Sequence, residues 1–289
     1  MERLYPSGAA WLGAPRKRLL IYGMSGLGKT RLAAMLRGGG TWFHYSVDYR
    51  IGTRYLGEAI ADGFKAEAMK VPALARLLRT DSIYVASNLT FDNLAPMSDW
   101  LGKPGDPGRG GLPFDEYERR QALHRAGEVA ALEDAEAFAA RAGTLYGYPH
   151  FVCDTSGSIC EVVEPEDPDD PLLRRLAATH QILWIEDTDA HADALKARFD
   201  AAPKPMYYRP EVLRPIWAEA GGEGADPDAF VRHAYAEAIR HRRPRYRAMA
   251  RWGATVTAEE VAACSDAAAI DAMVARAIDR SLEEGTGSV

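Results

Sequence analysis

The sequence has few cysteines and no long apolar run. These two features argue against a disulfide-stabilised protein and against a membrane-spanning one. Only three of the 289 residues are cysteine, an odd number without the spacing of metal ligands, so a disulfide framework is not expected. Their apolar neighbours predict reduced, mostly buried thiols at Cys153, Cys160 and Cys264. No stretch approaches the roughly 18 apolar residues of a membrane span, so we expect a cytoplasmic protein without membrane contact.

Positive charge is also in short supply. The chain has 35 Lys and Arg against 41 Asp and Glu, a formal net charge of -6. Its basic residues are spread along the chain, so neither nucleic-acid binding nor a polybasic membrane anchor is expected. The seven histidines show no H-x-x-x-H pairing, which argues against zinc. The acidic balance favours a small-molecule substrate or a protein partner.

Five short apolar segments predict the strands of a mostly parallel sheet. Each is bounded by turn-forming or polar residues, and most alternate with helical patterns, as in sheets with crossover helices. We therefore predict a three-layer α/β fold with a five-stranded sheet. The segments are residues 18–22, 43–47, 82–86, 150–153 and 181–185.

The interval between the third and fourth segments is longer than a simple crossover needs. We expect residues 94–143 to be an insertion in a nucleotide-binding core formed by residues 1–93 and 144–289. The Gly- and Pro-rich part before residue 111 predicts a loop. Residues 115–141 then predict a long helix, with Asp115 as its N-cap and Gly143 beyond its end. This insertion is a candidate substrate cap, and its helix a candidate surface for a protein partner.

The octapeptide GMSGLGKT matches the phosphate-binding pattern G-x-x-x-x-G-K-[ST] at every position. A strand-like run precedes it and a helical pattern follows, which is the context that the pattern requires. Backbone N–H groups and the helix N-terminus would hold phosphate oxygens, with Lys29 as a catalytic residue and the Thr30 hydroxyl on Mg²⁺. The expected nucleotide-binding residues are Gly23, Ser25, Gly26, Leu27, Gly28, Lys29, Thr30 and Arg31.

Acidic residues at the ends of two predicted strands are candidates for a catalytic carboxylate beside the phosphate loop. Asp154 ends a predicted strand, where a carboxylate holds Mg²⁺ through water, so Thr30 and Asp154 are the candidate metal residues. The sequence DTSG at this point fits a GTPase pattern, but no N-K-x-D guanine reader follows, so ATP is favoured. Glu186 and Asp187 end another strand, as in ATPases that activate water with a glutamate. Both alternatives remain open at the level of sequence.

A basic segment follows the last of the five predicted strands. A short helix ending at Arg198 leads into a loop with Lys204, Arg209 and Arg214. Phosphoryl transfer to an acceptor other than water needs a closing lid that supplies positive charge. We therefore predict a lid near residues 199–215, with Arg209 as a catalytic residue.

The segment RRPRYRAMARWGATVTAEEV resembles the C-terminal R-x-P-x-Y-x-x-x-A pattern of shikimate kinase and related small-molecule P-loop kinases. In that family the arginine lies near the adenine and the following strand completes the sheet, so the resemblance implies a nucleotide-binding role for Arg243 and a strand at "ATV". The order of phosphate loop, acidic strand end, basic lid and this motif is also similar. The matching residues are Arg243, Pro244, Tyr246 and Ala250.

The stretch HYSVDYRIGTRYL gains a role from this resemblance. An Asp at the carboxyl end of the strand beside the phosphate-loop strand would orient or deprotonate an acceptor hydroxyl, which makes Asp48 a catalytic candidate. Arg50 and Arg54 would bind an acidic group of the substrate. The structural alternative is that Asp48 caps a helix starting near residue 51 and Arg54 pairs with Glu58.

The leading functional interpretation is an ATP- and Mg²⁺-dependent kinase for a small, acidic or hydroxyl-bearing acceptor. The alternative is a P-loop ATPase that acts as a switch or partner-binding module, with Glu186 positioning water.

Overall fold

The computed structural model describes residues 4–286 and has an α/β fold. Its sheet has the order β2-β3-β1-β4-β5, and all four strand pairs are parallel. The predicted class and the five-stranded parallel sheet are therefore confirmed. The strands are β1 (Arg18–Tyr22), β2 (Trp42–Ser46), β3 (His150–Asp154), β4 (Gln181–Glu186) and β5 (Ala254–Thr257).

Helices connect all of these strands. A π-helical turn covers Ile51–Tyr55, and 3₁₀ turns cover Pro107–Arg109, Gly222–Gly224 and Ala250–Trp252. The α-helices are α1 (Gly8–Gly13), α2 (Lys29–Gly38), α3 (Val47–Arg50), α4 (Gly57–Ala68), α5 (Pro72–Arg79), α6 (Ala95–Leu101), α7 (Phe114–Tyr146), α8 (Ile159–Val162), α9 (Pro171–Thr179), α10 (Asp189–Ala201), α11 (Pro210–Glu219), α12 (Pro227–Met249), α13 (Ala258–Ala263) and α14 (Ala267–Thr286).

The central strand β1 explains why the sheet forms where it does. Its last four residues, Leu19 to Tyr22, are fully buried, and such an uninterrupted apolar run is typical of a parallel strand covered on both faces. Burial of each large side chain contributes about 1.5–3 kcal/mol. The strand therefore anchors the sheet, and its carboxyl end is held rigidly at the point where the glycine-rich loop begins.

One predicted strand is wrong. Residues 82–86 form no strand, and Tyr84 in their middle is 88% exposed. The short apolar run at these positions lies in an extended segment in which no residue is fully buried, so it is not a core strand. The fifth strand is instead β5, the strand-like "ATV" implied by the family resemblance, which pairs with β4.

The predicted loop before residue 111 and the predicted ends of the long helix also need correction. Helix α6 lies within the supposed loop and buries Trp100 and Leu101. Asp115 is in the first turn of α7 rather than at its N-cap, where its charge favours the helix dipole. Gly143 lies inside α7, which ends before Gly147, a glycine with φ of 73°.

The described chain divides into two compact units. The sheet unit comprises the residues up to Val47, Leu132–Ala201, and the residues from Ala236 onward. The helical unit comprises Asp48–Ala131 and Ala202–Tyr235. All five strands belong to the sheet unit.

The three cysteines are free and buried, as the sequence predicts. Within residues 4–286, no helix combines the length and the apolarity that crossing a bilayer would require.

Candidate functional site

The octapeptide GMSGLGKT forms the turn between β1 and α2. Gly23, Gly26 and Gly28 have φ angles of 146°, 82° and 94°, which L-residues with a side chain rarely adopt. At Gly23 a Cβ atom would also lie 2.7 Å from the carbonyl oxygen of Ile185. The loop thus needs glycine where the phosphate-binding pattern has it, and its backbone lies between a strand and a helix as that pattern requires.

The lysine and the hydroxyl residues of this loop differ in exposure. Lys29 is buried, and its ammonium group donates hydrogen bonds to the carbonyl oxygens of Gly23 (2.8 Å) and Met24 (3.1 Å). Its charge is therefore held within the loop. Ser25 and Thr30 are exposed, so both hydroxyl groups are accessible to a ligand.

The side chains of the remaining two residues of the predicted set contact other parts of the protein, Leu27 as a buried residue and Arg31 as an exposed one. The Leu27 side chain is buried in the core, which leaves its backbone N–H as the group that could meet a phosphate. Arg31 donates hydrogen bonds to the carbonyl oxygens of Val261 (3.4 Å) and Cys264 (3.1 Å). The Arg31 side chain therefore fastens α13 to α2.

Asp154 stands at the carboxyl end of β3, directly beside β1. It is buried, and its Oδ1 has no hydrogen-bond partner within residues 4–286. A buried carboxylate oxygen without a partner carries a desolvation cost that a metal-bound water would remove. The residues present therefore fit Mg²⁺ held by the Thr30 hydroxyl and, through water, by Asp154.

His44 is a neighbour of Asp154 that the sequence did not reveal. Its Nε2 lies 3.5 Å from Asp154 Oδ2, and both side chains are buried. The two residues are on adjacent strands, because β2 pairs with β3. Strand order is not visible in the sequence, so no local pattern could have joined them.

The competing acids at the end of β4 have a different environment. Glu186 lines a cavity of about 650 Å³ together with residues of β5 and α14. No residue from 23–30 contributes to the lining of that cavity. Asp187 is buried and accepts a hydrogen bond of 2.7 Å from Arg243 Nε. Strand β4 is also a neighbour of β1, so both acids follow a strand that ends near the phosphate loop. They differ from Asp154 in their surroundings, since Glu186 faces the cavity and Asp187 is paired with Arg243.

Arg243 is engaged by two carboxylates, since its Nη1 also lies 2.7 Å from Asp189 Oδ1. The spacing R-x-P-x-Y requires the arginine two residues before Pro244, which is Arg242. Assignment of that pattern to Arg243 is thus wrong by one position. Arg242 is buried, and its Nε donates a 2.7 Å hydrogen bond to Glu161 Oε1.

A second basic residue missed by sequence reasoning lies at the loop itself. A Cβ atom on Gly26 would be 3.0 Å from Nη2 of Arg198 and 3.5 Å from the side chain of Leu195. Helix α10 therefore packs over the phosphate loop and brings a guanidinium group to it. In the sequence Arg198 marks only the end of a helix before the predicted lid, and α10 in fact continues to Ala201.

The predicted acceptor residues belong to the helical unit. Asp48 lies inside α3, directly after β2, and so does not cap a helix at residue 51. The expected position beside the phosphate-loop strand is wrong, because β3 lies between β2 and β1. The Arg50 guanidinium lies 5.6 Å from the centre of the Tyr55 ring, whereas Arg54 is exposed.

Part of the predicted lid segment is fastened to α7 within the helical unit. Gln121 donates a 3.2 Å hydrogen bond to Met206 O and accepts one of 2.8 Å from Tyr208 N. Arg209 follows as the first residue before α11, with its Nε 3.4 Å from Glu211 Oε2. Two backbone contacts through one buried amide thus fix the strand-like stretch that leads to Arg209.

The fold and the loop define an α/β protein with a phosphate-loop sequence between its first strand and the following helix. No protein-family model matches the chain, and no curated protein matches it. Among solved structures, shikimate kinase from Bacteroides thetaiotaomicron is 17% identical, with 94% of this chain and 98% of that chain covered and a TM-score of 0.38.

Proposed function

We propose that the protein is an ATP-dependent phosphotransferase that moves the γ-phosphate to a small, acidic or hydroxyl-bearing acceptor. The observation that carries the proposal is the pairing of β1 with β3, which sets Asp154 beside the strand that leads into the glycine-rich loop. A phosphate cradle and a buried lysine that follow one strand, with a carboxylate at the end of the neighbouring strand, are the arrangement of groups that phosphoryl transfer uses.

The chain's own groups divide the work in this proposal. Lys29 balances charge on the β- and γ-phosphates, and the guanidinium of Arg198 adds positive charge at Gly26. Thr30 and Asp154 hold Mg²⁺, which when bound neutralises phosphate charge. Because the phosphate oxygens gain charge in the transition state, fixed positive groups lower the barrier more than they tighten binding of the ground state.

The acceptor side of the proposal uses residues that follow β2 and residues of the predicted lid. Asp48 accepts the proton of the acceptor hydroxyl, and Arg50 and Arg54 bind an acidic group of the acceptor. Arg209 supplies charge from the lid segment. We further propose that the acceptor is a small molecule rather than a nucleic acid, in keeping with the net charge of -6.

The rival function is an ATPase in which Glu186 positions the attacking water, with the α7 surface contacting a protein partner. The other residues that line the cavity of Glu186 come from β5, α13, α14 and the turn before β5, and none comes from the phosphate loop. A water-positioning acid must lie within hydrogen-bond reach of water beside the γ-phosphate. This observation favours the kinase.

Two variants separate the candidates in an assay of ADP release against small acidic metabolites, nucleosides and nucleoside monophosphates. In a kinase, Asp48→Ala lowers acceptor-dependent turnover about 100-fold or more, as expected for loss of a general base, with little change in ATP affinity. In an ATPase, Glu186→Gln traps bound ATP and Asp48→Ala is nearly silent.

Lys29→Ala tests the site that both functions share, with Lys70→Ala as the matched control, because Lys70 is an exposed lysine that pairs with Glu67 three residues away. Retained ATP affinity in the Lys29→Ala protein would refute nucleotide binding at this loop.

A further inference from the structure

The carbonyl oxygen of Gly157 receives two hydrogen bonds from one helix. Arg242 Nη1 donates to it over 3.2 Å and the Tyr246 hydroxyl over 2.7 Å. Both donors are on α12, one helical turn apart, and both are buried. Gly157 closes the DTSG sequence that begins at Asp154, so the two donors act on the segment that follows the candidate metal residue.

This segment touches the phosphate loop directly. A Cβ atom on Gly157 would lie 2.5 Å from the Ser25 hydroxyl oxygen and 3.7 Å from the Ser25 backbone nitrogen. At its other end, Thr155 donates from its hydroxyl to the carbonyl oxygen of Ile21 (2.9 Å). The segment is therefore fixed between β1 and the phosphate loop, and its far end is set by the two α12 donors.

The donors are themselves held in place. Arg242 uses its Nε for Glu161, which leaves Nη1 in a fixed direction because the guanidinium is planar. The Tyr246 ring stacks on Tyr22, the last residue of β1, with 6.1 Å between ring centres. Each donor thus has one contact that orients it and one that reaches Gly157.

We propose that Arg242 and Tyr246 are positioning residues for the phosphate loop, which they support by holding the Gly157 carbonyl against Ser25. The proposal rests on the proposed function in taking residues 23–30 as the site of phosphate binding. The family resemblance implies an arginine near the adenine, but the described hydrogen bonds of Arg242 go to Glu161 and Gly157, so we assign both residues a role through the Gly157 carbonyl. Their effect is to limit the opening of the loop, and so to lower the cost of ordering it around phosphates.

Arg242→Lys and Tyr246→Phe test this with little damage to the fold. In Arg242→Lys, the lysine keeps a positive charge beside Glu161 but lacks the second N–H group that donates to the Gly157 carbonyl. In Tyr246→Phe, the phenylalanine keeps the ring and loses only the hydroxyl. We expect amide hydrogen exchange at residues 23–30 of the ligand-free protein to quicken about two- to tenfold in each variant, the effect of one lost hydrogen bond. The Kd for Mg-ATP should rise by a similar factor.

Arg245→Lys is the matched control. Arg245 is on the same helix and donates to the carbonyl oxygens of Cys160 (2.7 Å) and Val163, away from Gly157. It should lower thermal stability without faster exchange at residues 23–30. Wild-type exchange in the Arg242→Lys and Tyr246→Phe proteins would overturn the positioning role. Failure of the wild-type protein to bind Mg-ATP would instead overturn the proposed function. The exchange rates of the ligand-free proteins would still test whether Arg242 and Tyr246 hold the loop.

Discussion

At the scale of single residues, the sheet unit contains a buried ion pair whose charges compensate each other. Glu161 and Arg242 are both almost completely buried. Burial alone would raise the pKa of Glu161, but the charge and hydrogen bond of Arg242, together with the nearby His241, outweigh it and lower the pKa to about 2. A carboxylate whose pKa falls on folding stabilises the folded state above its unfolded pKa, and this contribution disappears as the pH falls.

We therefore predict acid sensitivity that depends on Glu161. Folding lowers its pKa from 4.5 to about 2, a contribution on the order of 3 kcal/mol. It should be complete above about pH 5 and lost between pH 4.5 and 2. Urea unfolding across this range should show a shallower pH slope for Glu161→Gln, together with a loss of about 3–5 kcal/mol at pH 7 because Arg242 stays buried without its counter-charge.

Glu116→Gln is the control for this measurement. The pKa of Glu116 is also lowered to about 2, first by its hydrogen bond with Arg119. The Glu116 side chain is about 30% exposed and its partners Arg119 and Arg120 are on the same helix, so solvent screening should keep its effect on stability below about 1 kcal/mol. Equal pH slopes for wild type and Glu161→Gln would contradict the prediction that Glu161 causes the acid sensitivity.

The cysteines give a second prediction at this scale. Burial raises the pKa of the Cys153, Cys160 and Cys264 thiols, so little reactive thiolate exists near neutral pH. With Ellman's reagent at pH 8, the folded protein should show no rapid reaction and the urea-unfolded protein three thiols per chain. A thiol that reacts rapidly in the folded protein would show that one of these sites is open to solvent.

At the scale of elements, the edge strand β5 pairs with β4 through a close approach of their backbones. Gly253 precedes β5, and a Cβ atom there would lie 2.1 Å from the carbonyl oxygen of Ile182. Backbone atoms of a central strand cannot move aside as a flexible side chain can. The edge strand β5 therefore depends on a glycine at its start for its approach to β4.

Gly253→Ala should separate the start of β5 from β4 and lower the free energy of unfolding by about 1–3 kcal/mol, the usual cost of overpacking. Gly38→Ala is a matched control, because no atom lies within 4 Å of a Cβ built at Gly38, at the end of α2. That variant should be neutral or gain up to about 1 kcal/mol. Urea titration of the two variants and the wild type measures these differences. A Gly253→Ala protein as stable as the wild type would argue against a close approach at Gly253.

At the scale of the whole molecule, the features predicted correctly from the sequence are those that depend on residues close together in the chain. Continuous apolar runs located four strands, and the spacing of glycines located the phosphate loop. The fifth predicted strand was wrong because the apolar run around Tyr84 is not covered by other parts of the protein. Strand order, the contact of His44 with Asp154 and the approach of Arg198 to Gly26 join distant parts of the chain, and no local spacing carries that information.

Nucleotide binding should be visible in the stability of the whole protein. A ligand at about 100 times its Kd adds about 2.7 kcal/mol to the stability of the folded state, which should raise Tm by roughly 5–10 °C. We expect Mg-ATP to raise Tm in a thermal-shift assay and AMP at the same concentration not to, because AMP lacks the phosphates that Lys29 would reach. An equal shift with AMP would mean that the loop does not bind the β- and γ-phosphates.

The parallel order of the strands has a consequence for synthesis of the protein. Arg18 of β1 pairs with Phe151 of β3, and Leu19 pairs with Gln181 of β4. The ribosome must therefore add residues 23–149 before the most apolar strand can meet its first neighbour. At about 5–20 residues per second, β1 waits for at least several seconds without a partner strand, an interval in which a chaperone can bind the nascent chain.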